Sequence, residues 1–146
     1  MTKRTPKRAS SVLTGADYKR LAEFRYLLRR FLIFSEGAAV KAGLTAQQHQ
    51  ALLAIKGFTG LNHMGTGELA EHLGIRHHSV VGLIDRLGAK GLIRRQTGAD
   101  DHRQVFITLT PNAESLLAKL SMIHRDELEQ LAPLLRSLLA HFESNS

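Results

Sequence analysis

Eight histidines and no cysteine leave histidine, carboxylate and arginine side chains as the groups that could do chemistry in this chain of 146 residues. Two arrangements have metal-ligand spacing. Glu68 and His72 stand at i, i+4, and His124 and Glu127 at i, i+3, so each pair could offer two ligands from one helix face. A zinc site needs three or four ligands and groups to orient them, and the histidines are otherwise dispersed, so neither a metal nor a cofactor is expected. His124-Arg125-Asp126 has the letters of a kinase catalytic triplet, but no glycine-rich loop, paired lysine or Asp-Phe-Gly accompanies it. No nucleophile stands with a base and an orienting group, and an enzyme is not expected. His77 and His78 are of another kind. With Ser79 they open an amphipathic segment, where short polar groups and backbone N–H groups meet phosphate or base edges.

The elements that must position them lie between Thr66 and Thr110. A first helix starts at Thr66, read as its N-cap, and buries Leu69, Ala70 and Leu73. Gly74 supplies the positive φ that stops it, and Ile75 plugs the turn. A second helix buries Val80, Leu83, Ile84 and Leu87 at i, i+3, i+4, i+7 and ends at Gly91. His78, Val81, Gly82, Asp85 and Ala89 then face outward with Arg86 at the flank, a slim surface that fits a DNA major groove. A two-stranded hairpin follows. Arg94, Arg95, Gln96 and Thr97 run into a charged loop, and Val105, Ile107 and Leu109 alternate with Phe106 and Thr108 on the return. The fold class expected is mainly α with a small β-hairpin wing, a winged helix-turn-helix.

The ordered set ELAEHLGI, DRLGAKGLIRR, Asp101-x-Arg103 and ITLTP before a long helix resembles the MarR (multiple antibiotic resistance regulator) family of transcriptional regulators. The resemblance covers the chain from about Tyr18 onward. It implies a homodimeric DNA-binding regulator, acting as a repressor on a pseudo-palindromic operator and relieved by a small-molecule effector, often an aromatic anion. Mapped onto this chain, His77, His78, Ser79 and Val81 would meet the major groove, with Gly82 allowing close approach and Arg76, at the helix entry, also among the DNA-binding residues. Arg86, Arg94 and Arg95 would hold phosphates. Arg103 would enter the minor groove with Asp101 orienting its guanidinium and His102 beside it. An effector pocket is expected near Phe31 and His49. The chain departs from the commonest family pattern at Arg76, where a Ser or Thr N-cap often sits, and at Gly82, which replaces a longer polar side chain. Two alternatives stand beside this reading: an activating or architectural DNA binder without an effector, and a metal- or ligand-binding helical protein using the module for protein contacts.

The rest of the chain reads as helix. A stripe of Leu21, Phe24, Leu28, Phe31, Leu32 and Ser35 runs over residues 16–41, closed by Gly43. Thr45 and Gln48 form a capping-box pattern for the next helix, with Leu52, Ile55 and Phe58 inward, and a loop is expected from Gly57 to Gly65. Thr110 caps a last helical segment with Pro111 at its first position, and Pro133 restarts it into Leu134, Leu135, Leu138, Leu139 and Phe142. By the resemblance, these terminal helices interleave with a second copy through Leu21, Phe24, Leu28, Leu134, Leu135, Leu138, Leu139 and Phe142. The division expected is a disordered basic arm over 1–13, an N-terminal dimerisation helix over 14–44, the DNA-binding domain over 45–110 and C-terminal dimerisation helices over 111–146. Hydrophobic residues at 43% exclude a wholly disordered chain, and no apolar run approaches the ~20 residues of a membrane span. The basic N-terminus lacks a signal-peptide h-region, so no membrane partner and a cytoplasmic location are expected. Net charge is +7, yet residues 66–110 hold six basic against five acidic side chains. A phosphate-binding surface must therefore come from placement of charge rather than from its total.

Overall fold

The computed structural model describes residues 12–58, 63–98 and 105–143. The elements follow in the order α1 (Gly15–Lys41), α2 (Ala46–Gly57), β1 (His63–Gly65), α3 (Thr66–Leu73), α4 (His77–Ala89), β2 (Ile93–Thr97), β3 (Val105–Leu109) and α5 (Pro111–Glu143). They form two compact units. Glu36–Met122 make one, and the residues up to Ser35 together with those from Ile123 make the other, so α1 and α5 contribute to both. No described helix is long and apolar enough to cross a membrane.

In the unit from Glu36 to Met122, each element starts where a polar group can satisfy its free ends. Thr45 Oγ1 accepts from Gln48 N–H and Gln48 Oε1 accepts from Thr45 N–H, the reciprocal cap expected for α2. Leu52 and Ile55 are wholly buried, but Phe58 is not an inward residue. It caps the C-terminal end of α2, is 67% exposed, and lies on the His72 ring with centroids 3.5 Å apart. Thr66 is not the N-cap of α3 either. Gly65 holds that place with extended backbone and no side-chain cap.

The loop expected from Gly57 to Gly65 contains a strand. β1 pairs antiparallel with β3, which pairs antiparallel with β2, so the wing is the outer part of a three-stranded sheet in the order β1-β3-β2. Three residues are too few to display a period of two, and the strand exists because buried Met64 sits opposite buried Ile107. The alternation in β3 also fades outward: Ile107 is buried, whereas Val105 is 37% exposed. Thr110 Oγ1 accepts from Ala113 N–H and donates to Gly91 O, so one hydroxyl caps α5 and ties it to the end of α4. Ala113, Leu117 and Leu120 then enter the same core as Leu52, Leu69, Leu83 and Leu87.

The other unit is built from helix alone. Leu27, Leu131 and Leu138 are its buried centre, with Phe31 and Leu135 packed against them. Of the stripe expected on α1, Leu21, Phe24, Leu28 and Leu32 are exposed and Phe31 packs inward, beside Leu27, which the stripe did not include. Leu138 and Leu135 likewise face this internal cluster, while Leu134 and Leu139 are exposed. Pro133 does not restart the helix. α5 runs through it despite the missing N–H and the crowding of the proline ring on the carbonyl one turn back, and Leu131 and Leu138, two turns apart, hold both sides on one cluster. His124 Nε2 lies 2.8 Å from Ser35 Oγ and edge-on to Phe34 and Phe31.

The ends of this unit are joined by hydrogen bonds to one carboxylate. Thr14 N–H donates to Asp17 Oδ2 at 2.8 Å, and His141 Nε2 lies 2.9 Å from Asp17 Oδ1. The Thr14 backbone N–H, and after it the His141 ring, hold the Asp17 carboxyl below its ordinary value of 3.8. A depressed carboxyl adds stability above its unfolded value and loses it as pH falls through the folded value. Asp17→Asn is therefore expected to lower the melting temperature at neutral pH, and the gap to wild type should close as pH falls below about 3.8. Thermal melts of both proteins from pH 7 to pH 3 check this; a gap that persists unchanged at pH 3 would contradict it.

Candidate nucleic-acid interface

The outward surface is set by the turn between α3 and α4. Gly74 takes φ 64°, and its N–H and that of Ile75 close on carbonyls of the last turn of α3, with Ile75 N–H to Ala70 O at 3.1 Å. A side chain at that φ would be strained, so glycine aims the next helix. Arg76 is the N-cap of α4, extended and without a side-chain cap bond. The first N–H groups of α4 therefore point outward at the positive end of the helix dipole, flanked by exposed Arg76, His77, His78 and Ser79. Thr66 Oγ1 lies 3.4 Å from His77 Nε2, so the start of α3 supports that of α4.

Burial on α4 divides as its spacing requires. Val80, Leu83, Ile84 and Leu87 are buried, and His78, Val81, Asp85, Arg86 and Ala89 are exposed, with Gly82 half-buried between them. The far end is held by Lys90, whose Nζ donates to Gly43 O at 2.7 Å and to Gln48 Oε1 at 3.0 Å. Lys90 is thus a structural tether that the sequence offers no signal for.

The wing arginines separate. Arg94 and Arg95 are adjacent on β2, so the pleat sends them to opposite faces. Arg95 lies across from Ile107, on the face turned to α4, and forms an ion pair with Asp85 through Nη2 and Oδ1. Both groups are more than half exposed, so the pair adds little stability but fixes the first strand of the wing against α4. Arg94 is exposed on the other face, opposite Thr108. Asp101, His102 and Arg103 lie outside the described residues.

Phe31 and His49, expected to share a pocket, belong to different units: Phe31 packs beside His124, and His49 is buried on α2. A cavity of about 590 Å³ does open beside α2 and α3, lined by Gln50, Leu53, Ala54, Gly57, Phe58, His72 and Leu73, and neither Phe31 nor His49 lines it. Among the described residues no three His, Asp or Glu side chains are grouped as metal ligands.

A helix seated on the core by one face, presented by a glycine turn and flanked by a hairpin, defines a winged helix-turn-helix. Residues 42–104 match the family model described as MarR family. Solved structures share the fold. AbsC, a MarR family transcriptional regulator from Streptomyces coelicolor, superposes with a TM-score of 0.67 at 19% identity, covering 94% of this chain and 100% of its own. A mutant of Staphylococcus aureus MepR bound to an oligodeoxyribonucleotide gives 0.67 at 22%, covering 91% and 98%. Bordetella bronchiseptica BpsR, whose DNA binding is regulated by 6-hydroxynicotinic acid, gives 0.59 at 20%, covering 86% and 92%.

Proposed function

We propose that this protein is a homodimeric, sequence-specific DNA-binding repressor acting in the cytoplasm on a pseudo-palindromic operator. The observation that carries the reading is α4 itself, with its apolar face in the core and a slim polar face, led by uncapped N–H groups, turned to solvent. In this reading His77, His78, Ser79 and Val81 meet the major groove and Gly82 lets the backbone approach. Arg76 and Arg94 reach phosphates, Arg95 does so from its place beside Asp85, and Asp101, His102 and Arg103 serve the minor groove from the wing loop. The exposed Leu21, Phe24, Leu28, Leu134 and Leu139 are apolar surface that a second copy would cover. Regulation by a small aromatic anion is supported by the likeness to BpsR, and the cavity beside α2 and α3 offers room for a small molecule.

Selection from a randomised duplex library, followed by affinity measurements across salt concentrations, tests the reading. One pseudo-palindromic sequence should be enriched, and its affinity should fall steeply with salt as released counterions oppose phosphate contacts. A protein that enriches no sequence and binds DNA equally at low and high salt would overturn it.

A further inference from the structure

Gly82 and Arg86 stand one helical turn apart on α4, and the arginine has folded back over the glycine. A Cβ placed on Gly82 would lie 3.4 Å from Arg86 Nη1, 3.8 Å from Nη2 and 3.9 Å from Cζ, in van der Waals contact, so the guanidinium packs over the glycine and lies where a side chain longer than a methyl would have to pass. Helix geometry favours this, since side chains lean toward the N-terminus and meet the residue four positions earlier. The consequence is a change of address. With Val80, Leu83, Ile84 and Leu87 buried, the midline of the outward face passes through His78, Gly82, Asp85 and Ala89, and Arg86 starts on its flank. Over Gly82 its guanidinium comes toward that midline.

The charges around it reinforce the placement. Asp85, the adjacent carboxylate, is paired with Arg95 of β2. Arg86 is exposed and takes part in none of the ion pairs found among the described residues, so its donors remain available to a ligand. On a helix lying in a major groove, the flanks face the phosphate walls and the midline faces base edges. Guanine alone offers two acceptors there, N7 and O6, at the spacing of a guanidinium fork.

We propose that Arg86, seated over Gly82, is a specificity-determining residue that reads a guanine in each half-site, rather than the phosphate holder expected from the sequence. The proposal rests on the DNA-binding reading above. It also gives a physical reason for glycine at 82: a longer side chain there would displace the reader.

The test compares wild type with Arg86→Ala, Arg86→Lys and Gly82→Gln on a randomised duplex library, with the affinity of the best site measured at several salt concentrations. Wild type should prefer guanine at one position of each half-site. Arg86→Ala should lose that preference by about 10- to 100-fold while keeping the others. Arg86→Lys keeps the charge but not the fork and should fail to restore it. Gly82→Gln keeps the arginine and improves helix propensity, and should lose the same preference through displacement. If Arg86→Ala weakens all sequences alike and lowers the salt slope by about one counterion, Arg86 holds a phosphate and the proposal is overturned. If its preferences match wild type at every position, the proposal is likewise overturned while the DNA-binding reading stands. A wild type that selects no sequence at all would overturn both.

Discussion

Phe24→Asp combined with Leu139→Asp is expected to give a monomer that keeps its winged-helix unit folded. Both side chains are exposed in the single chain, Phe24 by 36% and Leu139 by 50%, and both line a small apolar cavity of about 210 Å³ with Leu21, Leu138 and Phe142. In the isolated chain a carboxylate at either position stays in water and costs little. Covered by a second copy, it would be a buried unpaired charge, and each lost apolar side chain removes roughly 1.5–3 kcal/mol of burial. The dimer constant should therefore weaken by several orders of magnitude. DNA affinity should fall with it, by about 10²–10⁴, because two half-sites are no longer engaged by one particle. Sedimentation at micromolar concentration reads the first effect and duplex binding the second. A double variant that sediments as a dimer and binds its operator like wild type would remove the homodimer from the proposed function.

Leu87→Ala and Val81→Ala, two truncations on the same helix, should separate folding from recognition. Leu87 is fully buried among the residues that seat α4, and no other element can move in to fill its place without shifting the helix. Its loss should destabilise the protein by about 2–5 kcal/mol in denaturant titrations and weaken binding to every duplex alike, as α4 loosens. Val81 is 43% exposed on the outward face. Its truncation should change stability by no more than about 0.5 kcal/mol, but alter preference at one position where a methyl contact to thymine is lost. Equal destabilisation by both would mean that the outward face of α4 is not free to meet DNA.

Much of this was legible along the chain. Leu69 and Ala70, then Val80, Leu83, Ile84 and Leu87, follow the helical repeat so closely that the two helices, the glycine turn at Gly74 and the outward placement of His78 and Val81 could be assigned from spacing. Thr45 with Gln48, and Thr110 with Pro111, mark helix starts by chemistry that operates over three residues. Such features are local: a cap, a positive φ or an amphipathic period is a property of a few neighbouring residues, and sequence records it directly.

What escaped was long-range or competing. β1 is a strand only because Met64 finds Ile107, 43 positions away, and nothing in His63-Met64-Gly65 announces that partner. Phe58 looks like a core residue in composition and is exposed, because α2 ends before its turn comes inward. Leu27, outside the expected stripe, faces Leu131 and Leu138, while of the stripe Phe31 packs against them and Leu21, Phe24, Leu28 and Leu32 are exposed, since two apolar faces on one helix cannot be ranked without the helix they meet.

The division follows from the range of the forces. By itself the sequence determined which residues form the helix-turn-helix, where its first helix stops, and which face of α4 is apolar, because those depend on backbone chemistry and periodicity. Only the tertiary structure decided what the polar residues do. It gave Asp85 to Arg95, Lys90 to Gly43 and Gln48, and the space above Gly82 to Arg86. Side-chain pairing between separate elements, and the path of one long flexible side chain over a bare backbone, depend on distances that exist only once the chain has packed.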